Sequence, residues 1–285
     1  MSAGTRDRDD TAPVFVQEPK VLGIPRSAIP KILMPLAIGI VTLIAWDAVV
    51  RINNIPYYIL PGPLLVGETL IKDWGTLYPS LVITLQIMGA ALTVAVLGGV
   101  TLAVMFSLSK WVELSFFPYA VILQVTPIVA IAPLILIYVD DMRLALLICA
   151  WIVAFFPILS NTTLGLNSAD HNLRNLFQLY GATRTQELFL LRLPAAMPFF
   201  LGGLRIAGGL SLIGAVVAEF AAGTAGAGSG LAYRILEAGY RLNIPRMFAA
   251  LILISLTGIC IFMIFTALQH FVLRKWHESA VKREN

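Results

Sequence analysis

Residues 179–194 read Leu179-Tyr-Gly-Ala-Thr-Arg-Thr-Gln-Glu-Leu-Phe-Leu-Leu-Arg-Leu-Pro194, and they separate two long apolar segments of the chain. Gly181 opens the stretch, nine residues follow, and Leu191-Arg-Leu-Pro194 closes it. Apolar and charged residues alternate here in a pattern that favours a short helix. A loop between membrane helices rarely needs such a segment. One reason to have it is docking onto a soluble partner.

The composition places the chain in a membrane. Of its 285 residues, 58% are hydrophobic and only 13% are charged, and the mean hydropathy is +0.84. A soluble domain cannot hide that much apolar surface, whereas lipid can solvate it. The net charge of +4 is typical of the lysine and arginine excess in cytoplasmic loops, so we expect no nucleic-acid partner.

Six apolar segments approach the length of about 20 residues that a membrane helix needs. They cover residues 32–50, 80–108, 116–139, 144–160, 196–217 and 247–272. Helix is the economical form because each span must satisfy its own backbone hydrogen bonds. The third segment contains Pro118, Pro127 and Pro133, so we expect it to be bent or broken. The fifth is glycine-rich, and we expect it to contact a second subunit around Gly208 and Gly214.

The distribution of lysine and arginine predicts that both termini lie in the cytoplasm. With that topology, thirteen of these residues fall inside and six outside. Residues 1–30 and 274–285 are then cytoplasmic tails, and the first is expected to be disordered because it is polar. Residues 31–273 form the transmembrane domain. The loop at about 170–195 then lies in the cytoplasm.

Several segments, taken in order, resemble the membrane subunits (permeases) of binding-protein-dependent ABC importers. The Gly181 to Pro194 spacing is similar to their cytoplasmic signature loop. The Glu-Ala-Ala that opens this signature is absent, and its positions hold Asn175, Leu176 and Phe177. Three further segments resemble the nitrate, sulfonate and taurine branch: Leu60-Pro-Gly-Pro63, residues 126–134, and Ala218-Glu219-Phe220 with the glycine-rich residues 228–234.

This resemblance implies an all-α polytopic membrane protein with about six transmembrane helices and the type I ABC importer permease fold. It also implies the bacterial plasma (inner) membrane as location. The expected partners are ABC ATPase subunits, an extracytoplasmic solute-binding protein and a second permease. The second permease is expected to be a copy of this chain, since closed two-fold symmetry is common; the alternative is a related but different permease. ATP and Mg would be bound by the ATPase, and this chain would hold no cofactor. The expected solute is a small anion or a small organic molecule.

The loop supplies the residues expected to couple this chain to the ATPase. Leu188, Phe189 and Leu193 would form an apolar side that a partner groove buries, while Arg184, Gln186 and Glu187 fix the register at its rim. Gly181 permits a tight turn, and Pro194 suits the first turn of the next helix. The coupling set is therefore Gly181, Ala182, Arg184, Glu187, Leu188, Phe189, Leu193 and Pro194. The alternative is an ordinary hairpin that packs on the chain's own bundle.

Two ionisable residues of the fifth segment are candidates for the translocation path or its gate. Arg205 lies about 14 Å into the segment at helical rise, where a charge is costly unless it reaches water or a partner. The alternative for Arg205 is snorkelling to the surface. Glu219 would hold an outer gate through hydrogen bonds to the loop 223–230. Pro127 and Pro133 of the third segment complete this set.

The sequence lacks the usual patterns of an enzyme. His171, His270 and His277 have no Cys, Asp or Glu at the spacing of metal ligands. No glycine-rich loop ends in Gly-Lys-Ser or Gly-Lys-Thr, so a P-loop for ATP is absent. The remaining alternative is a self-sufficient secondary transporter or channel. Such a carrier should place acidic residues for ion coupling inside its spans, and this chain has almost none there.

Overall fold

The computed structural model describes residues 20–21, 24–25, 29–223 and 228–274. The chain divides into two units, Met1–Pro56 and Tyr57–Asn285. In the first unit, strands β1 (Lys20–Val21) and β2 (Ile24–Pro25) pair in antiparallel fashion, and helix α1 (Ile29–Ile52) follows. Of the tail 1–30 that was expected to be disordered, only β1, β2 and the first two residues of α1 are described; its other residues and the tail beyond residue 274 fall outside the described residues.

The second unit is built from helices. In chain order they are α2 (Pro63–Lys72), α3 (Trp74–Leu108), α4 (Lys110–Val125), α5 (Ile128–Tyr138), α6 (Met142–Asn167), α7 (His171–Leu179), α8 (Arg184–Glu187), α9 (Leu193–Ala222), α10 (Leu231–Tyr240) and α11 (Ile244–Leu273). A π-helical turn, Leu188–Arg192, joins α8 to α9. These three elements form one continuous helix, Arg184–Ala222.

The number of spans agrees with the hydropathy. Among the residues that the structure describes, five helices are long and apolar enough to cross a membrane, and the bent pair α4 and α5 makes up to six. The helices extend beyond the predicted ends; α6, for example, covers Met142–Asn167 where 144–160 was expected. Hydropathy marks only the apolar stretch, whereas a helix continues to its caps. The Asp141 carboxylate, which accepts a hydrogen bond from the Leu144 N–H at 2.8 Å, starts α6.

The proline-rich third segment is broken, as predicted. Helices α4 and α5 meet at an angle of 101°. The break falls at Thr126 and Pro127, which both have extended backbone, because a proline disfavours helical geometry in the residue before it. Pro118 and Pro133 lie inside α4 and α5 without ending them.

Helices α3, α6 and α9 pack closely because glycine lines their contacts. A Cβ added at Gly214 of α9 would lie 2.8 Å from the Cα of Ala150 in α6. One added at Gly208 would collide with the Phe265 ring of α11. The expectation that Gly208 and Gly214 contact a second subunit is therefore wrong, since helices of the same chain already occupy that side.

The opposite side of α9 is open. Gly209 has no atom within 4 Å of its would-be Cβ, and Ile206, Ile213 and Phe220 are exposed at intervals of seven residues. We call these three residues the α9 seam. The glycines of α9 thus divide between an inner face, which packs the bundle, and this free face.

Candidate functional site

Local sequence signals set where helix α7 begins, how the chain turns after it and where α8 begins. The Asp170 carboxylate caps α7 by accepting a hydrogen bond from the Asn172 N–H at 2.7 Å. Gly181 follows the helix with a φ of +67°, a left-handed conformation that glycine adopts without strain. Thr183 and Gln186 then form a capping box that starts α8. Pro194 lies just after the π-helical turn that joins α8 to α9.

Two of the three apolar residues expected on the docking side point into the chain. Leu188 is only 6% exposed and belongs to the hydrophobic core, and Leu193 packs against that core. Phe189, by contrast, is 61% exposed. The expectation of an outer face formed by all three is therefore corrected. The segment Arg184–Arg192 is the first part of the long α9 helix rather than a separate helix, and its inner side completes the bundle.

Glu187 was expected at the rim of the partner's groove, but its carboxylate forms hydrogen bonds that link elements of this chain to one another. Its Oε1 accepts hydrogen bonds from the Arg174 Nε of α7 at 2.9 Å and from the Arg192 Nε at 2.8 Å. Arg192 also donates through Nη1 to the Oγ of Ser107, near the end of α3, at 2.9 Å. The Glu187 carboxylate is 12% exposed. Helix α7 is thereby tied to the start of α9 and the end of α3, and we call these four residues the Glu187 network.

Helix α7, which the sequence analysis did not single out, carries further exposed apolar surface at this end. Leu173 and Leu176 are about half exposed, and Leu179 and Tyr180 at the end of the helix are 85% and 83% exposed. Their three-residue spacing and the Asp170 cap are signals of an amphipathic helix that could have revealed it.

A cavity of about 410 Å³ opens beside α7. Its lining includes Arg174 and Gln178 of α7, Arg184 of α8, and the Glu187 network. Ala182 of the predicted coupling set also lines it. The cavity is therefore polar and carries more arginine than acid.

At the opposite end of α9, Glu219 is 3% exposed and fully engaged. Its Oε1 accepts a hydrogen bond from the Thr84 hydroxyl of α3 at 2.8 Å, and its Oε2 accepts one from the Ala232 N–H of α10 at 3.0 Å. The Leu231 N–H donates to the Thr84 oxygen at 2.9 Å. Glu219 thus binds the first turn of α10 and α3; residues 224–227 of the loop 223–230, to which it was expected to bind, are outside the described residues, so that expectation stays a prediction.

A second set of charges holds α10 and α11 at this end. Arg234 donates to the Ser80 hydroxyl at 2.8 Å and pairs with Glu237 at 2.8 Å, and Arg241 pairs with Glu237 at 2.9 Å. The hydrogen bond from Arg234, together with the nearby positive charges, holds the pKa of Glu237 below its ordinary value against the opposing effect of burial. Arg246 of α11 binds Asp73, which precedes α3.

The other residues expected to line the translocation path, Arg205, Pro127 and Pro133, do not lie close to Glu219. Arg205 lies fourteen residues earlier on α9, about 21 Å away at helical rise, with its guanidinium 5.4 Å from the ring centre of Phe262 in α11. Pro127 and Pro133 lie exposed at the bend and in α5. Within the described part of the chain, no group of three or more His, Cys, Asp or Glu side chains could hold a metal ion.

Comparison with known proteins was made by sequence and by fold. Residues 95–276 match the family described as binding-protein-dependent transport system inner membrane component. The chain is 30% identical to the formylaminopyrimidine transport permease protein of Halalkalibacterium halodurans, over 85% of this chain and 95% of that protein. It is 31% identical to the riboflavin transport system permease protein of Chloroflexus aurantiacus, over 94% and 99%.

Two further similarities come from a taurine permease and a crystal structure. The taurine transport system permease protein of Escherichia coli is 29% identical over 83% of this chain and 87% of its own length. A crystal structure of an amino acid ABC transporter with histidines has a similar fold, with a TM-score of 0.60, 18% identity, and coverage of 73% of this chain and 97% of that one.

Proposed function

Because this chain belongs to the family of binding-protein-dependent transport system inner membrane components, the permeases of type I ABC importers, we propose that its α7 end docks the ATPase and its α10 end closes the outer side of the path. It is a multi-pass protein of the inner membrane, and ATP hydrolysis belongs to a separate subunit. Membership decides against a self-sufficient carrier, since the family works with an ATPase and a binding protein.

The observation that carries the docking proposal is the exposure of α7. Apolar side chains that stand free at the end of a short helix favour insertion into a groove of a partner. Leu179 and Tyr180 are the most exposed of these side chains. Under this proposal the α7 end lies in the cytoplasm, as the lysine and arginine bias predicts, and ATP and Mg are expected on the docked subunit.

The Glu187 network is the proposed mechanical link. A displacement of α7 by the closing ATPase pair pulls on Arg174, and Glu187 passes the movement to Arg192 and Ser107. Helices α9 and α3 then move at the same time, because Arg192, which Glu187 binds, also donates to Ser107 of α3. In this account Glu187 transmits motion, while Phe189 and Arg184 remain available to the partner.

At the other end, Glu219 is the proposed latch of the outer gate. It fixes the first turn of α10 to α3 through Thr84 and Ala232. Release of these hydrogen bonds would free the first turn of α10 to move when the binding protein delivers solute. Arg205, midway along α9, is proposed to line the path between the two ends.

The second copy of this chain is proposed to face the α9 seam. Exposed Ile206 and Ile213 flank Gly209, which lets a helix approach closely.

The substrate is proposed as a small anion or small organic solute. Similar permeases are named for a formylaminopyrimidine, riboflavin and taurine, so the solute-binding protein is expected to set the specificity.

Thiol labelling tests the docking and the orientation together. After Cys149→Ala and Cys260→Ala, Leu179→Cys provides one thiol at the tip of α7. We expect a membrane-impermeant maleimide to label it in inside-out vesicles and not in right-side-out vesicles, and we expect the ATPase subunit to protect it. Labelling from the outside, or equal labelling with and without the ATPase, would contradict the proposal. Leu242→Cys, at the other end, should show the reverse sidedness.

A further inference from the structure

The cavity beside α7 carries an excess of positive charge. Arg174, Arg184 and Arg192 line it together with one carboxylate, that of Glu187. Three positive charges and one negative charge leave a net charge of +2 at the walls. The neutral amide of Gln178 adds a further donor. Such a lining attracts an anion and repels a cation.

One of the three arginines, Arg184, has no partner among the described residues. Glu187 binds the Nε of both Arg174 and Arg192, and one terminal nitrogen of Arg192 binds Ser107. The guanidinium of Arg184 has neither a hydrogen bond nor an ion pair within the ranges that the structure describes. Arg184 is exposed, so its donors can turn toward a group that enters the cavity.

We propose that this cavity binds a carboxylate side chain of the ATPase subunit, with Arg184 as its principal partner and Arg174 as the second. The proposal rests on the proposed docking of α7. A guanidinium presents parallel donors that match a carboxylate in two hydrogen bonds, and such charge-assisted bonds are the strong ones. Glu187 keeps Arg174 in place, so the site is already ordered before the partner arrives.

The position of the cavity identifies the source of the carboxylate. Arg174 and Gln178 line it from the side of α7, and Leu179 and Tyr180 stand exposed at the end of the same helix. A protein that covers Leu179 and Tyr180 therefore lies over the cavity and can insert an acidic side chain into it. The phosphate of an anionic lipid has similar chemistry, and the experiments below separate the two sources.

The first experiment measures the affinity of the ATPase subunit for the permease in nanodiscs made only of zwitterionic phosphatidylcholine. We expect Arg184→Ala to weaken binding about tenfold or more, the usual effect of losing a hydrogen-bonded charge pair. Lys110→Ala is the control, because Lys110 carries the same charge near this end and pairs with Glu113 instead. Unchanged affinity after Arg184→Ala would overturn the proposal. A loss that appears only with anionic lipid would assign the site to a headgroup and overturn it as well.

The second experiment identifies the partner group. In Arg184→Lys, a carbodiimide condenses the new amine with an adjacent carboxylate into an amide, while the water removed converts the carbodiimide to a urea. We expect a crosslink between position 184 and an Asp or Glu of the ATPase, identified by mass spectrometry. The Lys110 and Glu113 pair, 2.8 Å apart, gives an internal crosslink that shows the reagent has worked. An internal crosslink without one at position 184 would overturn the proposal.

The two proposals fail in different ways. If α7 does not dock the ATPase, Leu179→Asp will leave the affinity unchanged. If α7 docks and the cavity stays empty, Leu179→Asp will abolish binding while Arg184→Ala binds like the unaltered protein.

Discussion

The carboxylate of Glu219 occupies the place above Gly230 where the Cβ of any other residue would stand. Gly230 immediately precedes α10, whose Ala232 N–H donates to the same carboxylate. The latch therefore needs glycine at this position for space, while the fixed carboxylate orients the first turn of α10.

Gly230→Ala should break the latch. The added methyl group must displace the carboxylate from Thr84 and Ala232, which leaves buried polar groups unpaired at a cost of about 1–3 kcal/mol. We expect basal ATP hydrolysis without binding protein to rise several-fold and uptake to fall, both measured in reconstituted complexes. Gly228→Ala is the control, because no atom of the described residues lies within 4 Å of its would-be Cβ. Equal behaviour of the two variants would refute the latch.

Glu187→Gln should separate hydrolysis from transport. The amide keeps the shape of the side chain but loses the charge that holds Arg174 and Arg192. We expect the ATPase to remain bound, while the solute imported per ATP falls several-fold because α7 no longer pulls α9 and α3 together. Glu113→Gln is the control: it removes a comparable ion pair with Lys110 and should leave the amount of solute imported per ATP unchanged. A normal ratio in Glu187→Gln would refute transmission through this carboxylate.

The α9 seam should crosslink two copies of the chain. In the cysteine-free background, Ile213→Cys is expected to give disulfide-linked dimers under mild oxidation, since Ile213 is exposed on the proposed contact face. Ile264→Cys on α11 is similarly exposed and should stay monomeric. Dimers from α11 but not from α9 would move the interface to the other side of the bundle.

Arg205→Leu should impair uptake and leave ATPase binding intact. A guanidinium in the middle of a span is stable only where water or an aromatic partner reaches it, and Phe262 supplies one such contact. Arg205→Cys, in the cysteine-free background, should react with a water-soluble thiol reagent in at least one nucleotide state. Leu251→Cys, exposed on α11, is the lipid-facing control. Normal uptake by Arg205→Leu with no thiol reaction at position 205 would show that the residue only snorkels.

Hydropathy and proline rules predicted the spans because both are local properties. The six apolar segments and the break at Pro127 are present. These local rules could not predict that the Leu188 side chain points into the bundle. The π-helical turn Leu188–Arg192 adds a residue per turn and shifts the helical phase, so a regular α-helical reading assigns the wrong side chains to the outside.

Long-range partners explain the other differences. Glu219 and Thr84 are 135 residues apart in the chain, and the sequence around each residue gives no sign that the two are in contact. The glycines of α9 read alike in the sequence, but only the packed bundle separates Gly208 and Gly214, which contact α11 and α6, from Gly209, which faces open space. Helix α7 was missed because its polar residues lower its hydropathy, although Asp170 and the leucine spacing mark it.

The most direct test of the account compares two tyrosines with nearly equal exposure. Tyr180 at the end of α7 is 83% exposed, and Tyr240 at the end of α10 is 85% exposed. In the reconstituted permease, we predict that Tyr180→Asp weakens ATPase binding at least tenfold and abolishes ATP-driven uptake, while Tyr240→Asp leaves ATPase binding unchanged. ATPase affinity that survives Tyr180→Asp, or that falls equally in both variants, would contradict docking through α7.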